Sequence, residues 1–230
     1  MVETEWDMQR RLTLHWKTNG ALLGRNKLFL ATWEVMVNSW RINDPHRHWT
    51  EPSIDFLFLD ISGNIWLVEI KRYVKSPRDA WVALCQITHR AVELTKTYSL
   101  KKLEFAFRAA HSGQHGRVNA SANVENASLV ETHQAFFELD KPVSKDSIGK
   151  PSFRRVIGAK EFSPTWSEVK SRFDSSGLCI LQKHIRSTYE ISKTAKEFKR
   201  FLKLQPSEVQ PLDYPTESWL LPELNLSGDT

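Results

Sequence analysis

The chain has 230 residues, of which 40% are hydrophobic and 11% aromatic, so it can bury a substantial single core. It has no signal-peptide pattern, no apolar run of eighteen residues, no zinc-type Cys/His spacing and no glycine-rich phosphate loop, which argues against secreted, membrane-spanning, zinc-binding and P-loop classes. Its two cysteines, Cys85 and Cys179, exclude a disulfide framework. We therefore expect packed thiols, a cytoplasmic location and no membrane partner.

The charge is unevenly distributed along the chain. The net charge is +5 and the sequence pI is about 9.2, but residues 204–230 contain five acids and no Lys or Arg. Without that segment the rest carries about +10, enough for a basic face that attracts nucleic acid.

The N-terminal region is predicted to be helical. Residues 3–17 have acids first and bases last, as a helix dipole favours, and residues 18–26 contain glycines typical of a loop. Apolar residues near a 3.6-residue period predict a second helix over 27–40, followed by a loop over 41–53.

Residues 54–61 and 65–71 are predicted to form two strands joined by a Ser62-Gly63-Asn64 turn. Both faces of each run are largely apolar, which favours a pair near the centre of a sheet covered on both sides. Asp55, Glu69 and Lys71 are the charges that interrupt these runs.

These three charges are expected to share one face. Glu69 and Lys71 are two residues apart, and a three-residue loop would pair Asp55 with Lys71, whereas a five-residue loop would pair it with Glu69. Two half-buried carboxylates repel each other, so a divalent cation such as Mg²⁺ (or Mn²⁺) is the expected compensator. Lys71 would orient or help deprotonate an attacking water.

The run Val68-Glu69-Ile70-Lys71-Arg72, thirteen residues after Asp55, resembles the core motif of the PD-(D/E)XK nuclease superfamily, nearest to its RecB-like and mismatch-type members. The resemblance covers residues 27–108. It implies a restriction-endonuclease-like fold, with Asp55, Glu69 and the Ile70 carbonyl as metal ligands and Lys71 as a catalytic residue.

The same resemblance implies a glutamate on a helix before the motif and a glutamine on the helix after it. Glu34 and Gln86 match these positions, Glu34 as an outer metal ligand and Gln86 as a catalytic support. The chain departs from the family pattern at Ile54, where a proline is usual, and at Arg90, where a tyrosine is common.

Basic residues after the motif are predicted to bind nucleic acid. They lie at the rim of the predicted site, on the helix over 79–98 and in a polar loop over 111–125, and they are Arg72, Lys75, Arg78, Arg90 and Arg117.

The remaining patterns extend an α/β sheet. They predict a strand over 103–108, a helix over 126–140, a basic linker over 141–151, a strand over 153–159, a helix over 163–174, a strand over 178–185 and a helix over 194–204. The expected fold is a mixed central sheet with helices on both faces and a C-terminal strand-helix-strand extension. Residues 1–204 would form one domain (core 27–108, extension 150–204), followed by an acidic, proline-containing tail over 205–230.

The predicted function is Mg²⁺- or Mn²⁺-dependent endonuclease cleavage of phosphodiesters, with DNA the favoured substrate, in repair, restriction or mobile-element defence. A non-catalytic nucleic-acid-binding protein acting within a larger assembly is the alternative. A third hypothesis is a protein-interaction module in which the charges of the hairpin have only a structural role. Many members of the family cut as dimers, so a homodimer or a larger assembly is compatible with the resemblance.

Overall fold

A computed structural model describes residues 4–23, 26–42, 52–112, 128–149 and 153–159, together with Phe162, Pro164 and Glu168. The predicted 178–185 strand, the 194–204 helix, the acidic tail, Cys179 and Arg117 lie outside the described residues, as does almost all of the predicted 163–174 helix. None of the described helices combines the length and the apolar composition needed to cross a membrane.

The described chain is a mixed α/β structure with one five-stranded sheet in the order β1-β2-β3-β4-β5. The strands are β1 (Ala21–Leu23), β2 (Asn26–Met36), β3 (Ser53–Leu59), β4 (Ile65–Lys71) and β5 (Phe153–Ala159). The first three pairings are antiparallel, and β5 lies parallel to β4. The predicted strand over 153–159 is confirmed.

In the ranges that the structure describes, five helices accompany the sheet: α1 (Glu5–Asn19), α2 (Pro77–Thr97), α3 (Leu100–His111), α4 (Leu129–Phe136) and α5 (Lys145–Gly149). Capping boxes begin α1, α2 and α4, where the side chains of Thr4, Ser76 and Ser128 each accept a hydrogen bond from the third helical N–H. The predicted helices over 3–17 and 79–98 are confirmed, whereas the helix predicted over 126–140 is confirmed only over Leu129–Phe136.

Helices cover both faces of the sheet. Trp16 of α1 packs edge-on against Phe56 and Phe58, with ring centroids 4.9 and 5.3 Å apart. On the opposite face, Arg90 of α2 contacts Glu69 of β4. This arrangement explains why β3 and β4 are buried on both faces and show no polar alternation.

The helix predicted over 27–40 is wrong, because residues 26–36 form β2. Nearly all side chains of this strand are buried, and a register shift between Leu30 and Thr32 disrupts the two-residue period. The continuous apolar run that results resembles a helical pattern. Glu34 therefore lies on a strand rather than on a helix.

The strand predicted over 103–108 is also wrong, because these residues belong to α3. Ser99 caps this helix by accepting a hydrogen bond from the Lys102 N–H. Leu103, Ala106 and Phe107 are buried with helical spacing, whereas Phe105 is 56% exposed.

Two smaller differences concern segments expected to be irregular. The predicted 18–26 loop contains β1, and the predicted 141–151 linker contains the short helix α5. In addition, His111 ends α3 instead of beginning the predicted polar loop.

Candidate metal and nucleic-acid site

The β3–β4 hairpin adopts the five-residue-loop register. Leu59 pairs with Ile65 and Phe56 with Val68, and continuing that register puts Asp55 opposite Glu69. The loop is held by Asp60, whose Oδ1 accepts hydrogen bonds from Ser62 N (2.9 Å) and Asn64 N (3.0 Å). The turn thus fixes which charges meet at the far end of the hairpin.

The backbone pairing between β3 and β4 ends at the predicted site. Beyond the Phe56–Val68 pair, the Ile70 N–H donates to Asp55 Oδ2 over 2.7 Å instead of to the backbone of β3. The N–H and C=O of one strand residue face the same neighbouring strand, so the Ile70 carbonyl also faces the β3 side.

The structure brings three buried acidic side chains close together. Asp55 and Glu69 are 7% and 1% exposed, and Glu34, opposite Asp55 by the β2–β3 register, is 5% exposed. Burial raises the pKa of Asp55 well above its ordinary range, and the Glu69 and Glu34 carboxylates raise it further. Glu34 also has a left-handed backbone, with φ of 51°, which is uncommon for a residue other than glycine.

Two basic side chains partly offset these acids, and both contact Glu69. Lys71 Nζ lies 2.8 Å from Glu69 Oε1, and Arg90 Nη1 donates to Glu69 Oε2. Burial alone would lower the pKa of Lys71, but Glu69 and Asp55 outweigh burial and raise it. Lys71 is therefore an ammonium group at neutral pH.

A residue that the sequence did not reveal also reaches the site. Glu5, at the first turn of α1, has Oε1 3.7 Å from Lys71 Nζ, and its Oε2 accepts a hydrogen bond from Arg72 N over 3.2 Å. In the sequence, the helix dipole alone accounts for the acids of α1. No sequence signal links Glu5 to a strand 66 residues away.

The predicted glutamine lies next to this cluster without joining it. Gln86 is one helical turn before Arg90 on α2, and its Oε1 is buried with no hydrogen-bond partner among the described residues.

Elsewhere on α2, Cys85 is a buried free thiol, as predicted.

The predicted nucleic-acid residues divide into two groups. Arg72 and Lys75 lie over the ring of Tyr73, 5.0 and 4.2 Å from its centroid, and Arg78 is exposed at the start of α2. Arg90, in contrast, is engaged with Glu69.

The donor set agrees in kind with a hard divalent cation, since carboxylates and a backbone carbonyl are the oxygen ligands that Mg²⁺ and Mn²⁺ prefer. Within the described ranges, no group of three or more His, Cys, Asp or Glu side chains is arranged to hold a metal. A site here would use Asp55, Glu69, the Ile70 carbonyl and water, and a metal on Glu69 would compete with the two cations already there.

Comparison of the chain with protein-family models, with curated proteins and with solved structures found no match.

Proposed function

We propose that this protein is a metal-dependent nuclease of the PD-(D/E)XK type, acting on DNA as an endonuclease. The observation that carries the proposal is the pair of buried carboxylates, Asp55 and Glu69, on adjacent strands where the β3–β4 ladder opens, with Lys71 on Glu69. A helix (α1) before the strand pair, a helix (α2) after it and the parallel strand β5 support the restriction-endonuclease-like fold.

Asp55, Glu69 and the Ile70 carbonyl would hold Mg²⁺ or Mn²⁺. The bound ion would neutralise charge on the attacked phosphate and on the leaving oxygen. The raised pKa of Lys71 favours an ammonium group that orients water and stabilises negative charge over one that removes a proton.

Glu5 fits the helix-borne glutamate of the family better than Glu34 does. Glu5 is on the helix before the motif and contacts Lys71 and the Arg72 backbone, whereas Glu34 is on β2. We infer that Glu5 is the outer ligand or water-positioning acid, and that Glu34 contributes charge beside Asp55.

The basic residues after β4 support a phosphate backbone as the ligand. The ring of Tyr73 holds Arg72 and Lys75 beside the end of β4, and Arg78 follows at the exposed first turn of α2. Charges at this position would bind the strand on either side of the cleaved phosphate without reading its sequence.

The test is cleavage of plasmid and oligonucleotide DNA in Mg²⁺ or Mn²⁺. We expect Asp55→Asn and Lys71→Met to lower the rate about 100-fold or more, because each removes charge stabilisation at the phosphate. Asp140→Asn and Lys145→Met change exposed residues of the same types and serve as controls. Undiminished cleavage by both site variants would rule out the assignment.

One observation favours a non-catalytic nucleic-acid-binding protein as the second candidate. Both Glu69 oxygens already contact cations, so the charge of Glu69 is compensated without a metal. That protein would bind DNA equally well in EDTA and in Mg²⁺ and would cut it in neither.

A further inference from the structure

Glu69 is the acid at the centre of the site, and both of its carboxylate oxygens are engaged by cations. Oε1 is 2.8 Å from Lys71 Nζ, and Oε2 accepts from Arg90 Nη1. Glu69 is 1% exposed, so water cannot replace either partner fully. A divalent ion on Glu69 therefore competes with the two basic groups, because cations gathered around one buried carboxylate repel one another.

Lys71 is the partner that stays. It lies on β4 two residues from Glu69, and it has a second acid, Glu5, 3.7 Å from its Nζ. Arg90 instead reaches Glu69 from α2 by a long side chain. The Asp55 and Glu34 charges also attract its guanidinium, but among the described residues only Glu69 forms an ion pair or hydrogen bond with it.

A second acceptor for Arg90 lies one helical turn away. Gln86 precedes Arg90 by four residues, which places both side chains on the same side of α2. Gln86 Oε1 is buried and accepts a hydrogen bond from no residue in the described ranges. A buried carbonyl oxygen without a donor is costly, so a guanidinium that left Glu69 would be stabilised there.

We propose that Arg90 is the counter-ion of Glu69 in the metal-free protein, and that a divalent cation displaces it toward Gln86 Oε1. Arg90 is thus a positioning residue that competes with the metal for Glu69. The inference rests on the metal site of the proposed function. It also gives a physical role to the residue at which the chain departs from the tyrosine common in the resembling family.

Binding of Mn²⁺ to the full chain tests this without requiring cleavage. The free Mn²⁺ signal in electron paramagnetic resonance is titrated at neutral pH with the original protein and with Arg90→Met. We expect Arg90→Met to bind Mn²⁺ about tenfold more tightly, because the competing cation has been removed. Arg90→Gln carries the same expectation if the methionine variant does not fold.

Two further variants sharpen the test. Arg108→Met removes an arginine that is ion-paired to Glu104 at 3.2 Å on α3, and it should leave Mn²⁺ affinity unchanged. Gln86→Leu removes the acceptor for the displaced guanidinium and should weaken Mn²⁺ binding several-fold.

A thermal measurement gives an independent readout. In EDTA, Arg90→Met should melt below the original protein, because Glu69 keeps a single cationic partner. Saturating Mn²⁺ should raise its melting temperature more than that of the original protein.

The outcomes separate this inference from the proposed function. If the original protein and Arg90→Met bind Mn²⁺ equally well, Arg90 does not compete with the metal, while the nuclease proposal stands. If neither protein binds Mn²⁺, both the displacement of Arg90 and the metal-dependent function are wrong.

Discussion

His111 ends helix α3 inside the core, with its ring centroid 4.6 Å from that of Phe107 and 5.1 Å from that of Trp33. The pKa of His111 is lowered to about 4, mainly by burial and to a smaller extent by the nearby Lys17 charge. Backbone groups of Leu30 and Ala31 only partly oppose these effects. His111 is therefore neutral in the folded protein at physiological pH.

This depressed pKa predicts a loss of stability in acid. An unfolded histidine has a pKa of about 6.5, so between pH 6.5 and 4 the unfolded chain binds a proton that folded His111 does not. The contribution of neutral His111 to the free energy of unfolding is fully present above pH 6.5. It falls by about 2 kcal/mol between pH 6.5 and pH 5. Urea unfolding at pH 7.5 and 5 should show a smaller acid loss for His111→Gln, whereas the exposed-site variant His15→Gln should behave like the original protein. Equal losses in all three would contradict the prediction.

The residues of the candidate site differ in how far the sequence could predict them. Asp55, Glu69 and Lys71 are predictable because strand alternation places them on one face whichever hairpin loop forms. The contact between Arg90 and Glu69 depends on the rotation and depth of α2, and the contact of Glu5 depends on where α1 docks. Neither placement leaves a local pattern in the chain.

At the scale of the element, the hairpin turn fixes the register of the whole site. Asp60 accepts hydrogen bonds at Oδ1 from two turn N–H groups and at Oδ2 from Asn64 Nδ2 and Trp66 Nε1, both at 3.1 Å. Gly63 takes φ of 85°, which a residue with a Cβ adopts only with strain.

We expect Asp60→Ala to lower the free energy of unfolding by about 2 kcal/mol, because several hydrogen bonds are lost and buried donors are left unpaired. Denaturant unfolding monitored by tryptophan fluorescence measures this loss. The control is Asp140→Ala, at an exposed position, which should change stability by less than about 0.5 kcal/mol. A loss as small as that of the control would mean that the turn does not depend on Asp60.

Two elements could not be predicted from their own residues, for opposite reasons. The β2 strand is covered on both faces and carries a register shift, so its burial shows no two-residue period. In α3, the alternation of Leu103, Phe105 and Phe107 has the two-residue period that is typical of a strand. Phe105 is nevertheless exposed, and Ser99 caps the start of a helix. Tertiary packing overrides the local pattern in β2, whereas in α3 the cap and the helical spacing of Leu103, Ala106 and Ala110 outweigh the alternation.

At the scale of the molecule, the two ends of the β3–β4 pair carry different kinds of residues. One end carries the Asp60 turn, against which α5 packs, since a Cβ added at Gly63 would lie 2.9 Å from Ile148 Cγ1. The opposite end carries Asp55, Glu69 and Lys71, followed by the basic segment around Tyr73. Stability and proposed chemistry are thus separated by the length of the strands.

This separation predicts how salt affects DNA binding. If the basic segment contacts phosphates, the affinity should fall with rising salt, and Lys75→Gln/Arg78→Gln should reduce the slope of log K against log salt concentration by about two. Lys145→Gln lies on α5 at the opposite end and should leave that slope unchanged. Fluorescence anisotropy with a labelled oligonucleotide in EDTA measures both slopes without cleavage. Equal slopes for the double variant and for Lys145→Gln would place the phosphate contacts elsewhere on the molecule.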